Sequence, residues 1–416
     1  MPPANPLIAC DHCARLHERL PIKPGAVASC LQCGSELYRQ PRLSLEGWLA
    51  LSWGALIVFI IANAFPVAQL SMQGKTVRTS LLHALWLTWL NGDYAVAIMT
   101  ALFVVVFPLG QICFVMWAVS SLKRRCLPPD FRYGLRMLEV LSHWSMVPVL
   151  LLAALVSLVK MADLTRLEPA QGLWAFAMLT VLLTALGRMT AHRLWRWAED
   201  DGLVSRSGAD IQLSQPVAAC PACACVQNMP ARQARHCQRC NAFFHFRRPN
   251  SRSNAWAFLI AAAILYVPAN TLPVMSLRLP TGVQSHTILG GVIELWQLGS
   301  WDLALVVFIA SIVVPLTKLL ALGVLLWRTA WRGKGVQRQR TRLYSLVEFI
   351  GQWSMLDVFV VVFLSSMADF PGLTQIIAGL GATSFGLVVV LTMLAAMSYD
   401  PRQGWDAASH QLETKH

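Results

Sequence analysis

Charge is what this sequence has least of. Asp, Glu, Lys and Arg make up 13% of its 416 residues, where a soluble globular domain carries about 25%. With 56% hydrophobic residues and a mean hydropathy of +0.52, that deficit excludes an ordinary soluble domain. Acidic residues are scarcer than basic ones, 21 against 34, giving a net charge of +13. Nucleic-acid binding does not follow, because the Lys and Arg gather in loops between apolar runs. Catalytic signatures are absent too. Gly333-Lys334 is followed by Gly335, so there is no phosphate-binding Gly-Lys-Ser/Thr loop. No Gly-x-Ser-x-Gly elbow and no His-Glu-x-x-His occurs, and the chain is expected not to be an enzyme. The first residues carry Cys and His in place of a basic start and an apolar core, so no secretory signal peptide is read there.

What is present comes twice. Cys10-x2-Cys13 and Cys30-x2-Cys33 precede one block of apolar segments, and Cys220-x2-Cys223 and Cys237-x2-Cys240 precede a second. Two Cys on a tight turn can face one ion, and a second such turn completes a tetrahedral thiolate site. The gaps between pairs are sixteen and thirteen residues, which fit a zinc ribbon. Two zinc ions are the default occupants, one per quartet; iron of the rubredoxin type is the alternative. A closed four-thiolate site has no open position for hydrolysis. His12, His17, His236 and His245 are expected as neighbours and not ligands. Cys113 is expected as a small apolar helix residue, and Cys225 as a spare thiol.

Eight spans of near membrane length are expected: 47–65, 94–119, 138–159, 173–189, 254–272, 303–327, 343–367 and 380–397. Lys123, Arg124, Arg125, Arg132 and Arg136 follow the second span, and a similar group, Arg328 to Arg342, follows the sixth. The alternate loops are poor in Lys and Arg, so both termini and both ribbons are expected in the cytoplasm. The short apolar segments 80–90 and 287–298, with Trp86, Trp89 and Trp296, are interfacial or re-entrant helices, or else the first turns of the next span. The fold class is therefore an all-α polytopic membrane protein of duplicated four-helix modules, each preceded by a small cytoplasmic zinc ribbon. Its divisions are a ribbon at 1–42, a module at 43–191, a linker and second ribbon at 192–249, a module at 250–400 and a tail at 401–416.

The repeat is specific. Asn63-Ala64-Phe65-Pro66 matches Asn270-Thr271-Leu272-Pro273, and Trp144-Ser145-Met146 matches Trp353-Ser354-Met355. The same topology in both halves implies a parallel repeat. Two intramembrane charges break it. Lys318 and Asp357 stand where the first half has Gln111 and Pro148. Either charge alone costs about 2.5–3.5 kcal/mol in a membrane, so a meeting of the two is expected at mid-membrane, with Ser311, Ser354 and Thr392 nearby. The pair is either a functional network or a helix-fixing bridge. Lys160 and Asp163, three apart on one helix face, either extend that network or mark the interface.

Two four-Cys ribbons, each followed by four spans, with Asn-x-x-Pro after the first span and Trp-Ser-Met-Leu-Asp at 353–357, resemble the paraquat-inducible protein A family. The resemblance covers nearly the whole chain. It implies a bacterial inner-membrane protein that loads or receives lipid at a periplasmic tunnel built of MCE-domain protein. It also implies a membrane fold distantly like tetraspanins or claudins. A membrane redox protein and a passive anchor for an MCE protein are the competing readings.

Overall fold

The computed structural model describes residues 6–72, 75–162, 166–208, 211–212, 215–229, 234–279, 282–297, 299, 301–327, 334–367 and 375–405. The chain begins with two hairpins, β1 (Leu7–Ala9) with β2 (Leu16–Glu18) and β3 (Val27–Ser29) with β4 (Glu36–Arg39). Then come α1 (Leu45–Ala64), β5 (Ala68–Met72), β6 (Lys75–Thr79), α2 (Leu81–Leu90) and α3 (Tyr94–Ala101). A π-helical segment, Leu102–Val106, leads into α4 (Phe107–Lys123), followed by α5 (Phe131–Trp144), α6 (Val147–Ala162), β7 (Arg166–Pro169), α7 (Gln171–Leu186) and α8 (Ala191–Asp200). Two more hairpins pair β8 (Val217–Ala219) with β9 (Val226–Asn228), and β10 (Ala234–His236) with β11 (Phe243–His245).

The second half repeats the first element by element. It runs α9 (Ser251–Thr271), β12 (Met275–Leu279), β13 (Gly282–His286), α10 (Ile288–Gln297), α11 (Trp301–Phe308), a π segment at Ile309–Val313 and α12 (Val314–Trp327). It closes with α13 (Lys334–Gly351), a 3-10 turn at Gln352–Met355, α14 (Leu356–Met367), β14 (Gln375–Ala378) and α15 (Leu380–Ser398).

The repeated motifs are interlocks. Pro66 ends α1, since it has no amide to continue the ladder, and Asn63 Nδ2 donates back to the Phe59 carbonyl at 2.9 Å. The freed carbonyl of Pro66 then accepts from Gly172 N, at the start of α7, at 2.9 Å. A Cβ on Gly172 would lie 2.5 Å from the Phe65 oxygen, so only glycine permits this approach. The second half copies the contact, with Gly381 N on the Pro273 carbonyl at 3.0 Å. The π segments precede Pro108 and Pro315. A proline leaves the carbonyl four residues back without its helical partner, and one wide turn is a usual accommodation. That wide turn is used: Met146 N, in the break between α5 and α6, donates to the Phe103 carbonyl at 3.2 Å, and Trp144 stacks on Phe103.

Two expectations change. The chain is mostly helical but not all-α. In each half a three-stranded antiparallel sheet, in the orders β6-β5-β7 and β13-β12-β14, joins the loops at the end remote from the ribbons. Eight full spans are not confirmed. Among the described residues six helices are long and apolar enough, and α7 with α8, bent by 50°, forms either a broken seventh span or a re-entrant loop. The expected span 343–367 breaks at the 3-10 turn, leaving an apolar helix at Trp353–Met367. Fifteen residues cover about 22 Å, short of the ~30 Å hydrocarbon core. In the first half the expected span 138–159 lies within one of the six, Phe131–Val159, despite a two-residue interruption at Ser145–Met146. Of the two readings of the short apolar segments, separate helices hold: α2 and α10 are not the first turns of α3 and α11, and Gly92, at φ +91°, turns the chain between α2 and α3.

The halves meet along α6 and α14, where Ser157 Oγ donates to the Val360 carbonyl at 3.4 Å, and along α2 and α14, where His83 Nδ1 lies 3.4 Å from Ser366 Oγ. Asp93, just before α3, sits at this junction. Its Oδ2 is buried with no hydrogen-bond partner among the described residues. Burial pushes the carboxyl up to about 6, and the Ala378 amide of the other half opposes the shift. A raised carboxyl pKa means that the folded state binds its proton first. Its contribution is then full below about 4 and lost as pH rises through about 6. The protein should melt higher at pH 5 than at pH 7.5, and Asp93→Asn should raise the pH 7.5 melt and flatten this interval. An unchanged slope in the variant would assign the pH effect to other groups.

Candidate functional site

Each quartet forms by the same local device, used four times. After the second Cys of every pair the chain turns through a left-handed residue: Ala14, Gly34, Ala224 and Asn241, at φ +58°, +81°, +55° and +53°. That turn brings the next amide back onto the first Cys carbonyl, as from Ala14 to Cys10 at 2.8 Å and from Ala224 to Cys220 at 2.9 Å. Both thiols of a pair therefore face inward. The sulfurs of Cys10, Cys13, Cys30 and Cys33 lie within 4.8 Å of one another, as do those of Cys220, Cys223, Cys237 and Cys240, and all eight residues are buried. The nearest separations are 3.4 Å for Cys10–Cys33, 3.5 Å for Cys13–Cys30, 3.6 Å for Cys223–Cys237 and 3.7 Å for Cys220–Cys240. A disulfide needs about 2.05 Å. A tetrahedron with metal–sulfur bonds of about 2.3 Å has edges of about 3.8 Å. The donor set and its spacing thus fit one metal ion per ribbon.

The surroundings fit as well. Ser35 Oγ lies 2.9 Å from Cys33 Sγ, and His17 Nε2 lies 3.4 Å from Cys30 Sγ, so hydroxyl and imidazole can donate to thiolates. His17 is thus a neighbour of the site and not a ligand. Cys225 is buried beside the second quartet but outside it. Cys113 lies exposed on α4.

The ribbons converge on the first half, which no local signal announces. The second ribbon sits there: Arg136 Nη2 donates to the Cys240 carbonyl at 2.6 Å, and Arg239 pairs with Glu199 of α8 at 3.1 Å with both side chains buried. The first ribbon rests on α8 too, where Arg19 pairs with Asp200 and Arg196 donates to the Leu37 carbonyl at 3.3 Å. It also reaches the second half, where Arg338 Nε donates to the Gln32 carbonyl at 2.6 Å and Trp405 joins its four cysteines in one buried cluster.

The intramembrane residues lie around the second π segment. Ser311 is within that segment, Lys318 on α12, Ser354 in the 3-10 turn and Asp357 in the first turn of α14. The π segment packs against both the 3-10 turn and α14. Ser311, Lys318 and Ser354 are 0%, 3% and 2% exposed, and among the described residues Ser311 Oγ, Lys318 Nζ and Ser354 Oγ have no hydrogen-bond partner. Each such buried orphan costs about 1–3 kcal/mol, so three together mark a place built for something other than stability. Thr392 is buried but satisfied by the Val389 carbonyl at 2.9 Å.

The expected meeting of Lys318 with Asp357 is not found; no ion pair joins them within 4 Å. The break before α14 holds Asp357 apart, while Lys318 Nζ turns toward Gly351, 3.0 Å from where a Cβ would stand. There it lines a cavity of about 30 Å³ with His143 and Tyr344, room for about one water. Lys160 lies in the last turns of α6, its side chain outside the described residues, and Asp163 is outside them altogether.

Comparison with known proteins follows the same division. Residues 45–199 and 253–409 each match the family described as Paraquat-inducible protein A, one match per membrane module and none on the ribbons. The chain is 32% identical to "Intermembrane transport protein PqiA" of Escherichia coli K12, over 98% of this chain and 97% of that protein. It is 28% identical to "Lipophilic envelope-spanning tunnel protein A" of the same organism, over 96% and 91%. It is also 28% identical to "Probable intermembrane transport protein" of Haemophilus influenzae, over 95% and 94%. No solved structure gives a significant match.

Proposed function

The chain belongs to the paraquat-inducible protein A family, and on that premise we propose that it is the integral membrane component of an intermembrane lipid-transport system. The observation that carries this reading is the match along both modules and nearly the full length to proteins named for intermembrane transport and for an envelope-spanning tunnel. Its seat is the bacterial inner membrane, with ribbons and termini in the cytoplasm, as the Arg-rich loops beside the ribbons support. The outer sheets then face the periplasm, where an MCE-domain protein would meet them and lipid would be loaded or received.

Each ribbon holds one zinc ion, supported by the four-sulfur geometry. A thiol-redox role draws no support from it, because four sulfurs converge on one centre and ligated thiolates are not free to exchange. Ser311, Lys318, Ser354, Asp357 and Thr392 form the polar centre that handles cargo or a coupling proton; Lys160 and Asp163 either extend it or mark the membrane surface. Its charges, Lys318 and Asp357, are present in one copy of the repeat only, so this centre serves the transport step and not the common scaffold. Photocrosslinking of phospholipid to the MCE protein in cells with and without this chain tests the reading. Lipid-loaded MCE protein should change several-fold when the chain is removed; equal loading would overturn the proposal.

A further inference from the structure

A cavity of about 460 Å³ lies on the ribbon side of the first membrane module, and His143 alone lines both it and the small cavity of Lys318. Its walls are β4 of the first ribbon, the last turns of α5 and the elbow where α7 bends by 50° into α8. Arg188, Arg193 and Arg196 line it from the elbow, and Glu139 and Asp11 line it from α5 and the ribbon. Arg193 is 8% exposed. Its guanidinium gives one bond to the Arg39 carbonyl at 3.5 Å, and that of Arg196 gives one to the Leu37 carbonyl at 3.3 Å. A guanidinium has five donors, so most remain unspent. Thr190 caps α8 at the cavity edge, so the amides of its first turn add positive potential.

The distribution of charge is the informative part. Glu36 and Arg39 pair with each other at 3.2 Å. Among the described residues the other three arginines and two carboxylates form no ion pair, although they line one cavity. Opposite charges held apart across one space suit a ligand that carries both. The space adjoins the last turns of α5 and the end of α7, on the side of the ribbons. Basic pockets at such a surface are known lipid-headgroup sites, but two carboxylates would disfavour a purely anionic lipid.

We propose that this cavity seats the zwitterionic headgroup of an ethanolamine-type phospholipid, its phosphate on Arg193, Arg196 and Arg188 and its ammonium toward Glu139 and Asp11. Planar guanidinium forks match phosphate oxygens, and a carboxylate facing the ammonium adds selectivity. The assignment does not depend on the transport reading, since a resident lipid would bind here whether or not it travels.

Binding to the purified full-length protein in detergent tests it, with short-chain phosphatidylethanolamine, phosphatidylglycerol and soluble glycerophosphoethanolamine as probes. The native chain should prefer the ethanolamine lipid to the glycerol lipid by about tenfold, the scale of one charge-assisted hydrogen bond. Arg193→Gln should weaken both lipids by about the same factor. Because Arg193 also holds the ribbon, Arg188→Gln, at an exposed position, and Glu139→Gln are the companion variants; metal content and melting temperature confirm that they fold. Glu139→Gln should erase the ethanolamine preference. Unchanged affinities in folded Arg188→Gln and Glu139→Gln, or a native preference for phosphatidylglycerol, would overturn the site. Glycerophosphoethanolamine binding as tightly as the lipid would keep its chemistry but overturn the membrane as the source.

Discussion

Lys318→Met should give a protein that melts at a higher temperature and transports nothing. The two effects come from one cause. Lys318 Nζ is buried and has no hydrogen-bond partner among the described residues, and an uncompensated charge is among the costliest groups a protein can bury. On membrane-insertion scales a central Lys costs about 2.5–3.5 kcal/mol, and Met, of similar length, removes that cost while filling the space. A residue kept at such expense is kept for activity. Melting temperature and complementation of a transport-deficient strain read the two effects separately. A fall in melting temperature would show that Lys318 anchors the fold. Full complementation would show that its charge is dispensable. Asp357→Asn should lose transport as well, at normal protein level and with both metals retained.

Cys220→Ser should cut the metal content from about two ions per chain to about one, as one four-thiolate site per ribbon requires. The damage should appear in the first membrane module. Apparent metal-binding energies of about 10–16 kcal/mol hold such small domains folded. Without the ribbon, Glu199 loses Arg239 inside a buried pair, and breaking such a pair costs about 3–5 kcal/mol. Limited proteolysis should then open α5 and α8. Cys10→Ser should instead expose the chain around Trp405 of the second half. Elemental analysis and the cleavage map decide the matter: two zinc ions in the Cys220→Ser variant would refute the four-thiolate site, and cleavage confined to the mutated ribbon would refute its docking on the first module. Stoichiometric iron would replace zinc as the ion.

Much of this was legible from residue spacing, because the signals are local. A Cys pair two apart makes its own turn, and an apolar run near twenty residues states its own length. What spacing could not carry is the meeting of distant parts. Arg338 and Gln32, or Arg136 and Cys240, share no pattern. The outer sheets were missed because each strand is only four or five residues long. Ala68, Leu70 and Met72 alternating with Gln69 and Ser71 gave a faint period-two signal there. Pro108 and Pro315 announced a disturbed helix, yet not that the disturbance would be a wide turn whose carbonyl serves a neighbour. Lys318 and Asp357 were placed at a common depth by counting along straight helices; the 3-10 turn that interrupts one of them undoes that count.

The seat of the first ribbon has a consequence for synthesis. Its four cysteines leave the ribosome some 370 residues ahead of Trp405, which shares their buried cluster. At about 5–20 residues per second, that contact follows the ribbon by roughly 20–75 s. Over that interval the ribbon's seat is α8, through Arg193, Arg196 and Asp200. The second ribbon finds its own seat ready, since Arg136, His192 and Glu199 already stand when it emerges. It can latch the first module before the next helix is made. Both ribbons are therefore berthed on the first module before the second is finished, and the contact with Trp405 is the clasp that ties the two halves together.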